Sequence, residues 1–318
     1  MVTRIGTFTN QQMLLDATLR TQARLSDLQL QVATGKKTQT FSGLDQDVTR
    51  LANLKNDLAK SGQYVDNIDS VTKRLNLMEF GLEQIDGIAR DMRSLIRDSL
   101  NGDAADTNNL QELAQQYLNQ VTEIMNLRDD SRYLFAGGKT DTQPVDLSNG
   151  VYTPPTPPPF DTTADTGYYQ GDTTISEVRI DDNVVVQYGI TADQSAFEKI
   201  IRALDHVAQT TFSTPITAAQ KTMLNDAATA LTQAVEDNGT QKTVGELTTD
   251  VVLDLKMLDT QKTQHEQFMN FTSGTISDIE NVDPAKAITS LNFQQVQLES
   301  SYQMISRIGT LSLANYLT

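Results

Sequence analysis

The chain has no cysteine and no tryptophan, only two histidines, and aromatic residues fill just 6% of its 318 positions. Without cysteine there is no disulfide framework, no thiolate zinc site and no cysteine nucleophile. No run approaches the roughly 20 apolar residues of a membrane span. The opening MVTRIGTFTNQQ lacks the apolar stretch of about 7–15 residues that marks a cleaved secretory signal. Base is scarce too: 41 acids against 25 bases give a formal net charge of −16, and Lys and Arg form no run able to neutralise phosphates. Neither nucleic acid nor membrane is an expected partner. No GxSxG, Walker-type loop or GxGxxG occurs.

What the chain does have is helical spacing. Ile68, Val71, Leu75, Met78, Leu82, Ile85, Ala89, Met92 and Ile96 step by three and four without a break, and Val48, Leu51, Leu54 and Leu58 extend the pattern upstream. At about 1.5 Å per residue the unbroken seam predicts a helical rod of roughly 43 Å. Gly81 and Gly87 lie off the seam, and Asn101-Gly102-Asp103 is placed to end it. A second helix is expected with Leu110, Leu113, Tyr117, Val121, Ile124 and Leu127 on one face, antiparallel to the first. Its helical reading stops at Tyr133-Leu134-Phe135-Ala136-Gly137-Gly138.

Composition then changes. Six of the eight prolines lie between Pro144 and Pro159, and nine acids against the single Arg179 give residues 140–195 a charge of −8. Proline lacks an amide donor and disfavours helix before it, so this stretch reads as extended. Thr173–Val178 and Asn183–Gly189 read as strands of a small acidic β insert. Helix resumes at Ser195, read as an N-cap with Glu198 three residues on, and continues through Phe197, Ile200, Ile201, Leu204 and Val207. Leu224, Leu231 and Val235 follow a break at Pro215. Asn238-Gly239 marks a turn, and Val244, Leu247, Val251, Leu255 and Leu258 open a long helix reaching Phe268 and Phe271. Asp283-Pro284 separates it from a terminal helix.

Both ends carry weakly apolar seams with polar fillers. Leu14, Thr18, Thr21, Leu25, Leu28 and Val32 form one; Leu291, Gln294, Leu298, Ser301, Ile305 and Ile308 form the other. Such narrow stripes need a partner helix, and residues 10–34 and 285–316 are predicted to pair as an antiparallel coiled coil that is completed by assembly.

Candidates for chemistry are few. His206 and His265 stand far apart with no ligand at metal spacing and read as structural. Gly137-Gly138-Lys139-Thr140 only superficially resembles a phosphate loop and reads as a chain reversal. Asp161, Asp165, Asp181 and Asp182 do not follow a calcium loop. A metal-dependent enzyme with its site in the insert stays as the reading from a different class.

Several segments resemble the flagellin superfamily, and within it the hook–filament junction proteins. They are LLDATLRTQARLSDLQLQVATGKK with Leu44 to Leu58, the Tyr133–Gly138 loop, Tyr168-Tyr169-Gln170-Gly171-Asp172, and Leu298-Glu299-Ser300-Ser301-Tyr302 through Leu317. The opening MVTRIGTF and the Leu44-Asp45-Gln46-Asp47 element depart from the family pattern. The resemblance implies a mainly α fold with a small β insert: a flagellin-like antiparallel helical rod, elongated, with a terminal coiled coil and an outer β-rich domain. The domains expected are 1–45 with 277–318, 46–139 with 195–276, and the insert 140–194. It further implies no enzymatic activity, no cofactor and no metal, and export to the extracellular flagellum without signal cleavage. Implied partners are hook-associated protein 1, flagellin, further copies in a ring, and a cytoplasmic export chaperone; a flagellin proper is the near alternative. The assembly interface expected on these grounds is Leu14, Leu25, Leu28, Val32, Leu291, Leu298, Tyr302, Ile305 and Ile308.

Overall fold

The computed structural model describes residues 2–40, 43, 47–101, 107–237, 239 and 241–314. The predicted features at Gly102-Asp103, Asn238, Leu44 to Gln46 and Asn315 to Leu317 lie outside them. Seven helices are described: α1 (Val2–Thr34), α2 (Asp47–Asn101), α3 (Thr107–Met125), α4 (Ser195–Gln209), α5 (Ala218–Val235), α6 (Val244–Glu280) and α7 (Pro284–Ala314). Strands β1 (Arg128–Asp129) and β2 (Arg132–Tyr133) form one small antiparallel pair, β3 (Ser176–Asp181) and β4 (Val184–Tyr188) another. The mainly α class with a small β insert is what the residues form. The chain divides into two compact units, residues 1–60 with 267–318, and residues 61–266.

In the second unit the predicted seam is the backbone of the core. All nine residues from Ile68 to Ile96 are buried, in one apolar cluster with side chains of α3, α4, α5 and α6. Burying each large member contributes about 1.5–3 kcal/mol relative to exposure, which outweighs the helix-weakening glycines. Gly81 also allows close approach, since a Cβ there would stand 3.0 Å from Ile124. On α3 the buried residues are Leu110, Ala114, Leu118, Val121, Ile124 and Met125; the predicted Leu110, Val121 and Ile124 are among them, whereas the predicted Leu113, Tyr117 and Leu127 are half-buried. That helix ends at Met125, before the expected stop, because the Arg128–Tyr133 hairpin follows it. The hairpin turns through Asp130 and Ser131, both at positive φ (44° and 71°).

The insert shares this core rather than having its own. Val145, Tyr152, Phe160, Tyr168, Ile180, Val186 and Tyr188 belong to the same apolar cluster as the helices. Two motifs far apart in sequence interlock here. The Ala136 carbonyl accepts the Asp172 amide at 3.1 Å, and the Asp172 carboxylate accepts the Gly138 amide at 2.7 Å and the Thr174 amide at 3.0 Å. The Phe135 carbonyl accepts the Ala192 amide at 3.0 Å, and its ring meets Phe197 of α4 edge-on at 6.3 Å. Hairpin β3–β4 is tied to α2 and α6. Tyr64 donates to Asp182 at 2.8 Å, Asn67 to the Arg179 carbonyl at 3.1 Å, and His265 Nε2 meets the Ile180 carbonyl at 2.7 Å.

Helix starts are set locally. Thr217 and Gln220 form a capping box on α5, and Thr243 with Glu246 caps α6 reciprocally at 2.8 and 3.2 Å. Ser195 is not the cap expected for α4: it is the first helical residue after Gln194, and Glu198 is turned inward and buried.

Candidate assembly surface

In the first unit α1 and α7 pack against each other, and their direction is set where they meet. The Gly35 carbonyl accepts the Val282 amide at 2.9 Å, the Glu280 carbonyl accepts the Lys37 amide at 2.7 Å, and Lys36 bridges Asn281 in antiparallel fashion. Gly35 takes φ +70°, a conformation that closes helices and favours glycine. The Glu280 carboxylate receives the ammonium groups of Lys55 and Lys36, the latter at 3.2 Å. The hydrogen bond from Lys55 leads in holding this carboxyl below the ordinary glutamate range, and Lys36 adds to it.

Along the pair, the expected seam faces inward only in part. Leu14, Leu25, Leu28, Leu291, Leu298 and Ile305 are half-buried, whereas Val32 and Tyr302 are exposed. Ile308 lies on α7 with its side chain outside the described ones. The tightest positions are the small and polar fillers: Thr18, Thr21 and Ala287 are buried. Their hydroxyls do not cross to the other helix. Thr18 donates to the Leu14 carbonyl at 2.7 Å, Thr21 to Ala17 at 2.9 Å, and Ser301 to Gln297 at 2.8 Å, each four residues back on its own helix.

A second set of apolar side chains was not singled out from the sequence. Leu15, Leu19 and Leu30 on α1, and Phe293, Val296 and Met304 on α7, stand out from the paired seam, with Phe293 66% and Val296 62% exposed. Their spacing was readable: Phe293, Val296, Ser300 and Met304 step by three, four and four. They run beside the paired seam with the same period. On the end of α6 in this unit, Phe271 is 73% exposed. A helix pair that is apolar on more than its mutual face has surface left to cover.

The alternative chemistry in the acidic insert finds no constellation to carry it. Among the described residues no group of three or more His, Asp or Glu side chains is placed to hold a metal. The acids serve their own loops. Asp161 accepts the Thr163 amide at 2.8 Å, Asp165 the Gly167 amide at 2.7 Å, and Asp181 the Asp182 amide at 2.6 Å. The two histidines are buried in separate places, His206 on α4 and His265 on α6. Burial pushes the His206 imidazole down to about 4.

Residues 256–317, the end of α6 and all of α7, match the family model of the bacterial flagellin C-terminal helical region. Two solved structures share the architecture. One is a flagellar hook-associated protein from Vibrio parahaemolyticus, 18% identical with a TM-score of 0.54, over 74% of this chain and 97% of that one. The other is flagellar hook-associated protein 3 from Legionella pneumophila, 14% identical with a TM-score of 0.56, over 72% and 98%. The fold is flagellin-like. A comparison with curated proteins returns no match. At these identities the flagellin-like likeness is one of fold, and it agrees with the helix order, the paired termini and the insert placed between α3 and α4.

Proposed function

We propose that this chain is a structural component of the bacterial flagellum, a hook–filament junction protein of the hook-associated protein 3 type, built into the axial structure through its terminal helices. The observation that carries this reading is the unfinished packing of α1 and α7, of which α7 lies in the segment that matches a flagellin C-terminal region. Two helices that bury one narrow seam and leave Leu15, Leu19, Leu30, Phe293, Val296 and Met304 in water are suited to further helices from neighbouring subunits. The role is architectural rather than catalytic.

In this reading the terminal assembly domain is residues 1–45 with 277–318, the helical domain 46–139 with 195–276, and the acidic insert 140–194 faces solvent. Leu14, Leu25, Leu28, Val32, Leu291, Leu298, Tyr302, Ile305 and Ile308 form the assembly interface, and the exposed rows extend it. Partners are hook-associated protein 1 on one side, flagellin on the other, copies of the chain around the ring, and an export chaperone beforehand. The destination is the extracellular flagellum, reached without signal cleavage; no helix among the described residues is long and apolar enough to cross a membrane.

Sedimentation and negative-stain microscopy of the purified chain, with and without precipitating salt and with sheared filaments as seeds, test this. A chain that stays monomeric alone and caps seeds without elongating them supports the junction role. Long filaments formed by the chain alone would make it a flagellin.

A further inference from the structure

Residues 153–163 cross α4 as a strap, and five of the six residues from Pro154 to Pro159 are prolines. A proline run has no amide donors with which to bind itself or its seat, so its attachment falls to the groups at its two ends. At the near end Tyr152 donates its hydroxyl to Asp205 at 2.7 Å. At the far end the Asp161 amide donates to His206 Nε2 at 3.2 Å, and Arg202 donates to the Asp161 carbonyl at 3.0 Å. The Phe160 ring lies against the His206 ring, 4.4 Å between centroids, and just beyond, the Asp165 amide donates to Glu198 at 3.2 Å. Strap and helix enclose a cleft of about 400 Å3. The imidazole, the guanidinium and the two α4 carboxylates, Glu198 and Asp205, are already engaged by the strap and its flanks, so the cleft is the seat of the strap.

We infer that His206 is an acid-sensitive fastener, and that protonation of its Nε2 releases the proline-rich strap from α4. The ring can accept from Asp161 only while Nε2 carries no proton, which puts the single proton of the neutral ring on Nδ1. Adding a second proton turns the acceptor into a donor facing another donor, inside a site where His206 is 1% exposed. The charges acting on the ring are Asp161 from the strap, which favours the cation, and Arg202 from α4, which opposes it. From α3 the polar contact to this part of α4 is neutral, Gln111 to the Ala208 carbonyl at 3.0 Å.

The sign follows from burial. The docked ring is held down to about 4, below the free imidazole, so docking is strongest above the free value. It weakens as pH falls, by up to tenfold per unit below about 6.5. Glu198 and Asp205, both pushed up by burial, run the other way as they protonate. The release therefore sets in as pH falls below about 6.5, and is opposed wherever Glu198 and Asp205 take up protons. Loss of the strap uncovers Phe160 and Ile201, which are buried in the docked state.

Hydrogen exchange read by mass spectrometry on the full chain from pH 7 to 5, corrected for intrinsic rates, tests the fastener. Protection of peptides spanning 153–165 is expected to fall about fivefold from pH 6.5 to 5.5, while α3 amides hold steady. In His206→Gln, whose amide oxygen can accept without titrating, the strap should show no such fall. Protection independent of pH in the native chain, or an equal fall in the variant, overturns the proposal. If the variant does not fold, the native chain decides alone: strap and α3 loosening together, or neither loosening, is the overturning result.

Discussion

The Asp172 carboxylate sits 2.7 Å from the Gly138 amide, 34 residues earlier in the chain, and with the Thr174 amide at 3.0 Å it fixes the exit from the first helical half. The Gly138 amide and then the Thr174 amide hold this carboxyl below the ordinary aspartate range. A group lowered on folding stabilises above its unfolded value and ceases to do so as pH falls through the folded one. Asp172→Asn should therefore melt below the native protein at pH 7, with the gap closing toward pH 3. A gap that does not change with pH would show that the charge is not what matters; differential scanning calorimetry reads both.

Gly137 and Gly150 offer a matched comparison. Both have positive φ, +67° and +77°, but a Cβ at Gly137 would meet the Asp172 carbonyl oxygen at 2.3 Å while one at Gly150 meets nothing within 4 Å. Gly150→Ala should cost about 1 kcal/mol for the backbone alone. Gly137→Ala should cost roughly 3 kcal/mol or more, because the interlocked backbone itself must move. Urea unfolding of the two variants gives the difference directly.

Glu280 is where charge meets the terminal pair. Lys36 and Lys55 are both about half exposed, so each bridge is discounted for solvent screening. Glu280→Gln should lower stability of the α1–α7 end by about 0.5–1 kcal/mol at pH 7. The loss should shrink as acid protonates the native carboxylate and with added salt. Faster exchange at the Val282 amide in the variant is the expected readout.

Phe293 and Ile305 separate two roles on one helix. Phe293 is exposed and Ile305 half-buried. Phe293→Asp should leave helicity and α1 protection unchanged and reduce incorporation onto flagellar seeds by roughly tenfold or more. Ile305→Asp should lower both. Normal incorporation of Phe293→Asp would remove the exposed row from the assembly interface.

Much of this architecture was legible because one face of α2 is strictly apolar: a seam with no exceptions leaves no other helix to draw. On α3 the expected Leu110, Val121 and Ile124 are buried, but Ala114 carries too little apolar surface to stand out beside Leu113, which is only half-buried. The Arg128–Tyr133 hairpin went unseen because its turn uses Asp130 and Ser131 without glycine. Ser195 looked like a cap, but Glu198 had been recruited by Arg202 and the Asp165 amide. The fastening of the strap was invisible for a different reason. His206 and Asp161 are 45 positions apart, and no local pattern encodes a contact of that range. On the terminal helix pair six of the expected seam residues are half-buried, while the exposed rows beside them repeat with the same period and do not stand out in the sequence.

The polar fillers between α1 and α7 turn their hydroxyls back to their own helices. The hydroxyls of Thr18, Thr21 and Ser301 therefore add no hydrogen bond across the pair, and the stitch at residues 35–37 and 280–282 sets where the two helices meet. There the pair carries the stop of a zip: wherever else the two helices touch, their alignment at that end is already set.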